Sequence, residues 1–107
     1  MSKSGEGGFE RLQRLSQEVR EVVSSLKLNP NDLSVFHAWL DRKEKETRTD
    51  KDTLNLSVQV ARIYRDAGLV KAAHEAYFDA ADQALRKGND VLYTTLISEA
   101  EALSDGE

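Results

Sequence analysis

The clearest signal along the chain is apolar residues recurring at steps of three and four, broken by polar runs and two glycines. Phe9, Leu12, Leu15, Val19, Val22, Val23 and Leu26 form one such stripe, the signature of an amphipathic α-helix. The helix is predicted to stop near Leu28, because Asn29 precedes Pro30 and a residue before proline is pushed out of the α region. Asn31 or Asp32 then offers a side-chain oxygen to the free amides of a second helix, whose apolar face is Leu33, Phe36, Trp39 and Leu40. Past Leu40 the run Asp41 to Thr53 carries five positive and five negative charges and no apolar residue. It predicts a solvated helix end to about Lys45, followed by a loop.

A third helix is expected with Asp52 or Thr53 as its cap and Leu56, Val60, Ile63, Tyr64 and Ala67 as its stripe. Gly68 stands where a left-handed C-terminal cap belongs. The fourth helix, about Leu69 to Lys87, carries Ala72, Ala73, Ala76, Tyr77, Ala80, Ala81 and Ala84 on one side. Such small residues bury little area each but let a neighbouring helix come close. Gly88 closes it, and Val91, Leu92, Leu96, Ala100 and Leu103 make the last stripe. The only alternating stretch, Leu54 to Val60, lies inside a better helical pattern, so the fold class is all-α: about five helices in a compact antiparallel array. Residues 1–8, with three glycines, read as a disordered leader, residues 9–104 as one helical domain, and 105–107 as a frayed tail.

Composition narrows the function. The 107 residues contain no cysteine, which excludes a disulfide scaffold, a thiolate metal site and a cysteine nucleophile. No stretch approaches a membrane span, and Met1 to Phe9 lacks the apolar centre of a signal peptide, so a cytoplasmic domain without membrane insertion is expected. The net charge of −4 lies wholly in residues 54–107, where five basic side chains face nine acidic ones. Phosphate binding needs clustered Lys and Arg, and the balance argues against nucleic acid. The alternative partner reading is a nucleic-acid-associated regulator using Arg11, Arg14, Arg20 and Lys27 of the first helix, a sparse positive face interrupted by Glu10, Glu18 and Glu21.

Catalytic and metal constellations are missing from the pattern. His37 and His74 lie on different helices outside any spaced metal motif, and no serine has a nucleophile-elbow context. The carboxylate pairs Asp79 with Asp82 and Glu99 with Glu101 fall on faces predicted to be wet. No enzyme activity, no cofactor and no metal site are therefore expected.

The third and fourth helices resemble a tetratricopeptide repeat, a helical hairpin of about 34 residues. Ala61 and Tyr64, then Ala73, Tyr77 and Ala80, with Gly68 between them, take the small and aromatic places of that motif over residues 54–87. Ser57 stands where a large aromatic is usual, and Leu85 where a proline is common. The junction LKLNPNDLSVFHAWL is similar to the boundary between consecutive repeats, although Leu33 and Leu54 are 21 residues apart, out of phase with a regular array. Residues 54–104 also resemble the three-helix microtubule-interacting and transport domain, whose members bind helical tail motifs in an interhelical groove. Either resemblance implies a non-catalytic module, adaptor, chaperone-like or regulatory, that holds a peptide or helix of another protein. The tetratricopeptide likeness implies Asn55, Val58, Arg62 and Arg65 on the groove side of the third helix, with Arg suited to a carboxylate. Phe78 and Tyr93, beside rather than within their stripes, are further candidate anchors, while Trp39 is expected in the core. A chain with one good repeat is also expected to bury its open end against a partner or a second copy of itself.

Overall fold

The computed structural model describes residues 17–105, and these are helical with short connections and no strand among them. Helix α1 covers 17–28 of the described residues, followed by α2 (Ser34–Glu46), α3 (Asp50–Asp66), α4 (Val70–Arg86) and α5 (Asp90–Asp105). The all-α array is as expected. The leader at 1–8, the stripe positions Phe9, Leu12 and Leu15, the basic Arg11 and Arg14, and the last two residues lie outside the described residues. Asp105, expected in the frayed tail, still belongs to α5.

Local chemistry places the boundaries. Helix α1 ends ahead of Pro30, and the turn is closed by Asp32 N–H donating to the Asn29 carbonyl at 3.0 Å. The Asp32 carboxylate then accepts from the Ser34 amide at 3.1 Å and the Ser34 hydroxyl at 2.6 Å, at the first residue of α2, although the N-cap position itself is taken by Leu33. Helix α3 begins earlier than predicted. Thr49, not Asp52 or Thr53, is its N-cap: the Thr49 hydroxyl oxygen accepts from the Asp52 amide at 3.1 Å, and the Asp52 carboxylate accepts from the Arg48 amide at 3.0 Å. This reciprocal arrangement satisfies amides at both sides of the helix start, so charged residues without apolar periodicity still enter the helix.

Both glycines do what the chain requires of them. Gly68 has φ +82° and Gly88 φ +75°, the left-handed conformation that side chains resist. After each, two amides turn back: Gly68 to Arg65 and Leu69 to Tyr64, then Gly88 to Leu85 and Asn89 to Ala84. These are paired Schellman closures, and they set α4 against α3 and α5 against α4. Asn89 caps α5 through its side-chain oxygen, which accepts from the Leu92 amide at 3.2 Å.

Two cores result, and α3 is the wall between them. Leu54, Val58 and Ala61 of α3 pack with Ala73, Tyr77, Ala80, Ala81 and Ala84 of α4 and Leu96 and Ala100 of α5. Ile63 and Ala67 of α3 pack instead with Val22 and Leu26 of α1 and with Phe36 and Trp39 of α2. Leu56 and Val60 border that second core, and Tyr64 touches both. The predicted single stripe on α3 was therefore one of two. Trp39 is buried as expected, although among the described residues its indole N–H has no hydrogen-bond partner.

Candidate interaction site

Helix α3 was expected to present Asn55, Val58, Arg62 and Arg65 to a partner, and its neighbours dispose of them differently. Asn55 is exposed and lines a shallow hollow with Lys43, Glu46, Asp52 and Gln59. Val58 is not on a groove at all: it is buried in the core shared with α4 and α5. The correction follows from geometry, since Val58 lies four residues after Leu54 and three before Ala61, on the face covered by α4.

Arg62 and Arg65 are held by Glu99 of α5. Arg62 donates from Nε to Glu99 Oε1 at 3.1 Å and from Nη2 to Oε2 at 2.8 Å, a two-pronged pair. Arg65 Nη1 donates to Glu99 Oε1 at 3.3 Å and to the Tyr77 hydroxyl at 3.2 Å, and that hydroxyl donates to Glu99 Oε1 at 2.7 Å. One carboxylate thus ties α3, α4 and α5. The Arg62 hydrogen bonds hold the Glu99 carboxyl below its ordinary range against the opposing effect of partial burial. Burial first, and then the bond to Glu99, push the Tyr77 phenol up to about 12. Glu99 is thus no wet helix acid, as its sequence context implied. It accepts four hydrogen bonds, so an incoming carboxylate has to displace it before it can use both arginine forks.

The two aromatic candidates also part company. Phe78 is 53% exposed, its ring 5.8 Å from that of His74. Tyr93 is half-buried against the α3–α5 core. On α1, Arg20 and Lys27 are exposed, but Glu18 beside them reaches Lys43 of α2 at 3.7 Å. Among the described residues there is no group of His, Asp or Glu arranged to hold a metal ion, and no helix long and apolar enough to cross a membrane.

A further recess is lined by none of the residues expected to bind. Between α2, α3 and α4 lies an open groove of about 230 Å³. Leu40, Leu56, Val60 and Ala76 make it apolar, Glu44 and Thr47 stand on the α2 side, Thr53 and Ser57 on α3, and Asp79 on α4. It stays open because the α3 and α4 side chains facing it at Ser57 and Ala76 are small. Beside it the Gln83 amide donates to the Ser57 hydroxyl oxygen at 3.0 Å and to Asp79 Oδ2 at 3.1 Å, which joins α3 to α4. The sequence did carry a trace of this groove, in Ser57 where the resembling hairpins have a large aromatic. Comparison of the chain with family models, with curated proteins and with solved structures finds no match.

Proposed function

We propose that this protein is a small non-catalytic interaction module, adaptor-like, that binds a peptide or helix of a partner protein. The observation that carries the reading is the apolar groove between α2, α3 and α4. It is larger than the ~150 Å³ cavity that accepts a benzene-sized apolar body, and apolar recesses of this kind are where interface anchors seat. The buried Ala61, Ala73 and Ala80 with Tyr64 and Tyr77 beside them support the tetratricopeptide-like reading of the α3–α4 hairpin. A cytoplasmic setting belongs to the same proposal.

The test is affinity capture of the tagged full chain from nuclease-treated host lysate, run in parallel with two variants. Ala76→Leu plugs the groove, and Asn55→Ala with Gln59→Ala alters the exposed face of α3 and leaves the Arg62–Glu99 tie intact. A protein recovered with wild type and lost only with Ala76→Leu supports the groove. Loss only with the α3 pair moves the site to that face, and recovery of no protein by wild type removes the proposal.

A further inference from the structure

The groove's charge says what kind of segment it takes. Its lining contains two carboxylates, Glu44 on α2 and Asp79 on α4, and no lysine or arginine. Among the described residues neither carboxylate forms an ion pair. The lysines flanking Glu44 are engaged elsewhere: Lys43 with Glu18 and Glu46, each at 3.7 Å, and Lys45 with Asp41 at 3.4 Å. Asp79 receives only the neutral Gln83 amide. An apolar recess is thus bordered on two different helices by carboxylates that form no ion pair among the described residues.

The geometry points to a partner segment that presents an aliphatic side chain flanked by Lys or Arg, such as a basic amphipathic helix, as the occupant of this groove; this inference rests on the interaction reading above. The aliphatic group replaces water over Leu40, Leu56, Val60 and Ala76, which is the favourable part of the contact. The flanking cations approach Glu44 and Asp79 from opposite sides, which selects the sign of the partner and orients it. An acidic segment meets two like charges and is rejected. Both carboxylates are exposed, so their contribution is modest and screened by salt, and the apolar recess supplies the rest.

The experiment uses the full chain and three labelled twelve-residue amphipathic peptides with one leucine pattern, whose polar positions are arginine, glutamine or glutamate. Fluorescence anisotropy reads binding to wild type, to Glu44→Lys with Asp79→Lys, to Glu44→Gln with Asp79→Asn, and to the plugged variants Ala76→Leu and Thr53→Phe. Circular dichroism checks that each remains helical, and Thr53, being exposed, gives a plug that leaves the core alone. The arginine peptide is expected to bind wild type at least tenfold tighter than the glutamate peptide. The lysine variant should lose about tenfold for the arginine peptide, roughly what two exposed ion pairs are worth together, and should gain for the glutamate peptide. Both plugs should abolish binding.

Equal binding of all three peptides to wild type, still lost on plugging, overturns the basic partner while the interaction reading stands. Failure of every peptide to bind wild type overturns the basic partner, and the interaction reading falls with it only where lysate capture also recovers no protein. A tenfold gain in Arg11→Glu with Arg14→Glu assigns the groove to the chain's own N-terminal segment. Self-association by sedimentation that disappears in the lysine variant assigns it to a second copy. Either of these last results overturns the external partner.

Discussion

The two cores on either side of α3 are built on opposite principles. The α3–α5 core is made of alanines: Ala61, Ala73, Ala80, Ala84 and Ala100 are fully buried, with Tyr77 and Leu96 the large side chains among them. It gains from close helix approach, and a polar tie through Glu99 closes its edge. The α1–α3 core relies on a few large side chains. Phe36 lies 6.2 Å from Trp39 and 5.3 Å from Tyr64, ring centre to ring centre, and α2 meets α3 far less closely than α4 does. One half is therefore sensitive to added volume and the other to lost volume. The looser fit of α2 on α3 also leaves room for the groove, which lies where the two kinds of packing meet.

This contrast is broken most sharply at Trp39. Trp39→Ala removes a buried ring and should cost about 3–5 kcal/mol, measured by urea unfolding followed by circular dichroism, since the chain's single tryptophan is then lost as a probe. A cost below about 1 kcal/mol would deny the N-terminal core its aromatic anchor. The mirror experiment enlarges the other core. Ala80→Leu, at a site with no exposure, should cost about 2–3 kcal/mol by overpacking, whereas a neutral or stabilising result would mean that α3 and α4 are not in close contact.

Smaller effects test the polar tie of the C-terminal core. Glu99→Gln should cost about 1–2 kcal/mol at neutral pH, at the low end for charge-assisted bonds because the arginines are partly exposed. The Glu99 carboxyl is lowered from 4.5 in the folded chain. Its contribution is therefore present above that pH and lost as pH falls below it, and the wild-type advantage over Glu99→Gln should shrink on acidification. Tyr77→Phe should cost about 1 kcal/mol at neutral pH. Because the phenol is raised from 10.0 to about 12, its contribution is complete below pH 10 and is lost as pH rises towards 12. The gap between wild type and Tyr77→Phe should close over that interval, and a gap constant to pH 12 would contradict the buried hydroxyl.

Helices and their ends were legible because their causes are local. Pro30, Gly68 and Gly88 act on their own backbone neighbours, and the stripes of α2, of the described part of α1, and of α5 apart from Val91, which is exposed, each face one core. Where the reading went astray, the cause was a residue from another helix or a less familiar cap. The surrounding charges mask the threonine–aspartate pair of Thr49 and Asp52 that caps α3. The tetratricopeptide likeness implies an outward Val58, whereas α3 is packed on two sides and buries it. Glu99 reads as a wet acid because its three partners sit 37, 34 and 22 residues away in the chain.

Periodicity and backbone chemistry are properties of neighbours along the chain, so they specify that this protein is all helical and where most of its helices start and stop. That α3 buries a second face, that Arg62 and Arg65 are tied to Glu99, and that Ser57 and Ala76 leave a groove beside Glu44 and Asp79 depend on residues brought together from three or more helices. Those choices arise from volume and charge meeting across the fold, quantities that exist only once the helices have packed.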